Sequence, residues 1–203
     1  NWLENQGIQR GDRVVVQVEK SVPALLFYLA CLRAGVVYVP LNTAYQATEL
    51  AYFIKNAEPC VFVCDPARHD DLRVLTQRLG VAHLITLDAH GEGSLMEAAL
   101  EQPAGQTVQP MRGDELAAII YTSGTTGRSK GAMLSHGNLL SNAQVLQQHW
   151  DWRAGDVLIH ALPIFHVHGL FVAIHGALIN GSTMLWCAKF EPATTLRLMA
   201  RAT

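Results

Sequence analysis

Short runs of β-branched residues alternate with longer stretches of helical periodicity along nearly the whole chain, and this rhythm constrains the fold more than any other feature. VVVQV at 14–18, VVYVPL at 36–41, CVFVC at 60–64 and HLITL at 83–87 have the length and composition of buried strands. Between them, residues 23–34 stop at Gly35 and residues 46–56 break off before Pro59. Residues 66–79 and 94–101 continue the helical spacing. Repetition of strand, helix and strand predicts an α/β fold of layered, parallel-rich sheets covered by helices.

QPAGQTVQPMRGD at 102–114 interrupts the rhythm with two prolines, two glycines and few large apolar residues, and reads as a surface connection. Beyond it come strands at 116–120, 132–136, 157–162 and 183–187, and helices at 137–150, 166–179 and 191–202. The chain therefore divides into a first αβ region (1–101), the connection (102–114) and a second region (115–203). It opens on Asn1 with WLENQGI resembling a helix end, and stops at Thr203 without a cap or tail. It is expected to be a fragment of a larger domain.

Composition removes several function classes. A net charge of −2 without a long basic cluster gives nucleic acid no track. Residues 163–180 are apolar, but His166, His168 and His175 interrupt them, and a membrane span needs about 20 predominantly apolar residues. A soluble, cytoplasmic protein is expected. The cysteines at 31, 60, 64 and 187 lack a zinc spacing, and no metal site is assigned. Period-2 alternation places Cys60 and Cys64 on one strand face as core thiols. His69, His83, His90 and His149 are scattered and expected at the surface.

The densest chemistry lies at 121–131, YTSGTTGRSKG, directly behind the apolar LAAII. Glycines allow φ > 0 and close backbone approach, so successive N–H groups can converge on an anion. Thr122, Ser123, Thr125 and Thr126 add hydroxyls, Gly124 and Gly127 the backbone freedom, and Arg128 and Lys130 positive charge. The Walker pattern fails: Lys130 follows Ser129 instead of a glycine, Gly131 replaces the metal-binding hydroxyl, and AMLSH continues as a strand instead of a helix. Taken singly, such a cluster equally suits a polar turn between strands, and Lys130 a solvated loop lysine.

YTSGTTGRSKG, the following AMLSH and GNLLSNA, and LPIFHVHGL at 162–170 resemble the signature of the adenylate-forming acyl-CoA synthetases. RGDRVVVQVEKS, LACLRAGVVYVPLNTAY and ELAYFIKNAEP extend the resemblance over essentially the whole chain; EKS, PLNTAY and PIFHVHGLFVAIHGAL look most like the malonyl-CoA synthetase branch. The resemblance implies ATP and Mg²⁺ as cofactors, a small carboxylic acid and CoA as substrates, and a loop that holds the β- and γ-phosphates through Thr122, Ser123, Gly124, Thr125, Thr126, Gly127, Arg128 and Lys130. It also implies that the carboxy-terminal domain, the Mg²⁺ carboxylate and the ribose-binding aspartate fall after residue 203.

An ionised carboxylate attacking a phosphate needs little general base; the barrier is electrostatic, so charge neutralisation and alignment dominate. Lys130 is the expected catalytic cation. By resemblance, His166 stands where the acid and the α-phosphate meet, as hydrogen-bond donor or as a gate with Phe165. Phe165, His166, His168 and Gly169 form the expected acid-binding set, with Gly169 relieving crowding against substrate. Two histidines of FHVHG without a neighbouring Cys, Asp or Glu fall short of a zinc set, and a core role for His168 and His175 stays open. Residues 170–177 supply no permanent cation for a second carboxylate. Malonate or methylmalonate is the leading acid; the alternatives are another short-chain or aromatic acid, shaped by Phe165 and Phe171, a nucleotide-binding module that does not adenylate, and an interaction domain with a vestigial loop. Oligomeric state is not legible.

Overall fold

The computed structural model describes residues 1–105, 108–122 and 128–200. Its main sheet contains β1 (Arg13–Gln17), β2 (Val37–Pro40), β3 (Val61–Cys64), β4 (His83–Thr86), β5 (Leu116–Thr122) and β6 (Lys130–Ser135), in the spatial order β4-β3-β1-β2-β5-β6. β1 to β5 run parallel, with Val14 opposite both Tyr38 and Val61, and Tyr38 opposite Ala118. β6 closes one edge antiparallel to β5. A second, two-stranded parallel sheet pairs β7 (Val157–His160) with β8 (Thr183–Trp186).

Side-chain alternation explains the layers. Val14 and Val16 face one core, shared with Leu25 and Tyr28 of α2 (Val22–Ala34), Leu95 of α5 (Ser94–Leu100) and Leu139 of α6 (His136–His149). Val15 and Phe62 face the other, against Leu50 and Phe53 of α3 (Ala47–Ala57) and Leu72 of α4 (His69–Arg78). Burial on both faces is why these strands read as continuous apolar runs. A short α1 (Trp2–Asn5) precedes β1; α7 (Ile174–Asn180) and α8 (Pro192–Met199) flank β8. α2 shows why the helix boundaries were readable: Ser21 Oγ accepts the Ala24 N–H, Pro23 occupies the first turn, and Gly35 ends the helix at φ 71°.

Three sequence expectations need correction. The helix expected at 166–179 is a π-helical segment, His168–Ala173, running into α7. Cys60 precedes β3 instead of belonging to it, so parity does not apply: it packs with the core around Val61 and Val63, and Cys64 with the opposite one. His69 and His83 are half-buried, His83 lying edge-on to Trp2; His90 and His149 are exposed.

Parallel strands share one polarity, so the carboxyl ends of β1, β2, β3 and β5 gather along one edge, where open α/β sheets bind ligands. The buried Gln17 organises that edge. Its amide donates to the carbonyls of Asn42 (2.8 Å) and Tyr45 (3.0 Å), and its Oε1 accepts from Arg68 (2.7 Å).

Candidate active site

The two stems of the phosphate loop are the end of β5 and the start of β6, with Thr122 opposite Lys130 and Tyr121 opposite Gly131. Gly131 is required there: a Cβ would stand 2.8 Å from Ile119 Cγ2 and 3.4 Å from the Tyr121 ring. Thr122, Arg128 and Lys130, the described members of the expected phosphate set, are exposed at the carboxyl edge. Ser123, Gly124, Thr125, Thr126 and Gly127 lie outside the described residues.

α3 braces both stems. The Tyr121 ring packs 4.5 Å from that of Phe53, and its hydroxyl donates to Asn56 Oδ1 at 2.6 Å. Burial, with Tyr52 adding to it, pushes the Tyr121 phenol up to about 12, which keeps it a donor. On the outgoing stem, the Tyr52 hydroxyl donates to the Ser129 carbonyl at 2.6 Å. Arg128 and Ser129 border a 690 Å³ cleft with Tyr45, Tyr52 and Lys55.

The second constellation follows β7. Phe165 is half-buried with its ring 4.4 Å from that of His166; His166 and His168 are exposed. Phe165 borders a separate 320 Å³ cleft together with Lys20, Pro163, Lys189 and Phe190. Gly169 is buried, and a Cβ on it would stand 2.0 Å from the Pro163 carbonyl oxygen. The crowding it relieves in the structure is against the chain's own backbone. Phe171 is also a core residue, packed on Tyr28 and His175. His175 Nε2 shares a 2.7 Å hydrogen bond with the Tyr28 hydroxyl, and burial pulls its pKa down to about 4. This is the core histidine that the sequence left open.

Sequence reasoning missed Lys20 and His160. Both are buried at the carboxyl ends of β1 and β7, joined through the His160 carbonyl, and His160 Nε2 lies 2.8 Å from the Gly169 carbonyl oxygen. With the oxygen as acceptor, Nε2 carries the proton. Burial, reinforced by Lys20, lowers the His160 pKa and keeps the ring neutral. Lysine after a strand reads as surface charge, and histidine within an apolar run carries no local sign of its partner.

Among the described residues, no group of three or more His, Cys, Asp or Glu side chains converges on a point. None of the described helices is long and apolar enough to cross a membrane.

Loop stems, carboxyl-edge placement and the segment after β7 define a chain of the AMP-binding enzyme family, whose model matches residues 1–202, and the chain belongs to that family. Among solved structures, ATP-bound MatB from Rhodopseudomonas palustris is 53% identical, with a TM-score of 0.95 over 99% of this chain and 40% of that one. The mitochondrial malonate–CoA ligase ACSF3 of Mus musculus is 35% identical over 92% of this chain and 32% of its own length. The medium-chain fatty-acid–CoA ligase of Escherichia coli is 28% identical over 98% of this chain and 37% of its own. The chain thus spans about a third to two fifths of the length of these relatives.

Proposed function

We propose that the chain carries the phosphate loop and acid-side segment of an ATP-dependent acid:CoA ligase. In the parent reaction a carboxylate attacks the α-phosphorus of ATP and expels pyrophosphate; the CoA thiol then attacks the acyl-adenylate and AMP leaves. The observation that carries this reading is the hairpin of β5 and β6, which sets Thr122 opposite Lys130 at the carboxyl edge of the sheet. The ATP bound by MatB supports the nucleotide assignment. Malonate, or methylmalonate, is the leading acid, supported by the likeness to malonate–CoA ligase ACSF3.

In this reading, Arg128 and Lys130 offset phosphate charge, while Thr122, Ser123, Gly124, Thr125, Thr126 and Gly127 supply hydroxyl and N–H donors. His166 donates to the charge developing between acid and α-phosphate, and Phe165 gates the acid. His168 borders the acid, and Gly169 shapes the turn behind it. Mg²⁺ neutralises triphosphate charge when bound, but its ligands are assigned outside the described residues and no step here runs through it. The adenine, ribose and CoA contacts are likewise assigned to the remainder of the parent protein, with regions 1–101, 102–114 and 115–203 as parts of one amino-terminal domain. Four unpaired cysteines, two of them buried, support a reducing, cytoplasmic setting.

The test is acid-dependent exchange of pyrophosphate into ATP by the full-length protein. Exchange with malonate is expected to exceed that with medium-chain and aromatic acids, and Lys130→Ala to lower it at least about tenfold. Exchange that favours a medium-chain or aromatic acid replaces malonate; ATP binding without exchange for any acid overturns the ligase reading.

A further inference from the structure

Lys20 is 8% exposed, and among the described residues no carboxylate lies within ion-pair distance of it. A buried ammonium is costly unless its donors are satisfied. Here Nζ donates to the carbonyl oxygens of His160 and Cys187, each at 2.6 Å, and sits 4.5 Å from the Trp186 ring centroid. The His160 oxygen already accepts the Cys187 N–H at 3.0 Å, the bond that closes the pairing of β7 with β8. Lys20, reaching from the end of β1, therefore caps the carboxyl end of the small sheet and ties it to the large one.

A second set of contacts continues from that cap. The His160 ring stacks on Trp186, with centroids 4.7 Å apart and planes 13° from parallel, and its Nε2–H donates to the Gly169 carbonyl. Residues 161–168 form the turn between these two anchored points and present Phe165 and His166. Lys20 also borders the cleft that Phe165 borders.

We propose that Lys20 is a positioning residue for the acid-side segment, holding the end of β7 and, through the His160–Gly169 hydrogen bond, the turn that presents Phe165 and His166. This rests on the ligase reading above. The arrangement explains why a charge is kept where a neutral side chain would cost less. An ammonium supplies enough directed donors to hold, from one atom, the last carbonyl of β7 and the carbonyl just past β8, and the charge strengthens each bond. Burial pulls the Lys20 pKa down to about 8, so the group is mainly charged at neutral pH.

The experiment measures pyrophosphate exchange by the full-length protein, with separate KM values for malonate and ATP. Lys20→Met is expected to lower kcat/KM for malonate about tenfold, the loss of hydrogen bonds from a charged group. KM for ATP should stay within about twofold. In a His166→Ala background the same substitution should add little, because both changes remove one presented group. Unchanged malonate kinetics, equal losses toward malonate and ATP, or full additivity with His166→Ala would each overturn the proposal. Absence of acid-dependent exchange in the wild type brings down the ligase reading and this inference with it; wild-type exchange with a silent Lys20→Met brings down the inference alone. Should Lys20→Met not fold, His160→Gln and His160→Leu probe the same link. Gln, which still donates to the Gly169 carbonyl, should hold malonate kinetics within about twofold, and Leu should lose about tenfold. Identical behaviour of the two would refute the link.

Discussion

The phosphate-loop stems and the acid-side segment are held by different kinds of contact. The stems lie on paired strands and lean on aromatic rings of α3, with one hydroxyl bond to each side: Tyr121 to Asn56 and Tyr52 to Ser129. The acid-side segment hangs from a buried polar chain in which Lys20, His160, Trp186 and Gly169 depend on one another. Packing against rings tolerates the loss of one contact. A buried polar network does not, since each broken link strands a partner away from water. The acid side should therefore be the brittle half of the site.

Gly169→Ala tests that brittleness most severely. Its Cβ would fall 2.0 Å from the Pro163 oxygen, which is backbone and cannot swing aside. A loss of about 3 kcal/mol is expected in denaturant unfolding, with malonate kinetics impaired before those of ATP. Next comes acidification. His175 in α7, directly behind the π segment, has a folded pKa of about 4 against an ordinary 6.5. Between those values the unfolded chain binds the extra proton, so its contribution is full above pH 6.5 and is lost as pH falls toward 4. Tyr28 is its hydrogen-bond partner, and the partly buried His136, whose pKa burial also lowers, borders the same groove. About 3 kcal/mol of stability should disappear over that window, and His175→Gln should flatten the curve; a curve equally steep in the variant sinks the assignment.

Smaller effects belong to the loop side. Tyr52→Phe keeps the ring and deletes the bond to the Ser129 carbonyl, costing about 1 kcal/mol; this should appear as a roughly fivefold rise in KM for ATP with malonate unaffected. Tyr121→Phe deletes a bond to Asn56 at the surface, where water can replace it. An effect of about 0.5 kcal/mol is expected, close to the limit of kinetic measurement. Should Tyr52→Phe prove more damaging to malonate use than Lys20→Met, the contrast between the two halves is wrong.

Much of the architecture was legible because it is written locally. The β-branched run VVVQV, the Gly35 end of α2 and the break before Pro59 all depend on neighbours within a few residues. The misreadings concern contacts that periodicity does not encode. No periodicity signals that Gly169 abuts the Pro163 backbone, or that the expected helix opens into a π segment there. Phe171, read as a possible acid-pocket wall, turns toward Tyr28 of α2 instead. Cys60 falls on the other core because β3 begins at Val61, and alternation does not extend to a residue outside the strand. Within the candidate site, Thr122, Lys130, Phe165 and His166 stand out by residue type alone, while the groups packed behind them, Tyr52, Lys20 and His160, carry no such local sign.

The antiparallel turn from β5 into β6 has a consequence for the order in which the molecule assembles. Thr122 meets Lys130 across a single hairpin, a contact that costs little loop-closure entropy and forms without help from distant chain. Lys20 must instead wait for His160, 140 residues further along, and for Cys187 beyond it. As the polypeptide leaves the ribosome, the loop stems can pair while the segment after β7 still lacks its anchor, so premature termination between β6 and β7 would release a chain able to pair those stems but without the turn at 161–168.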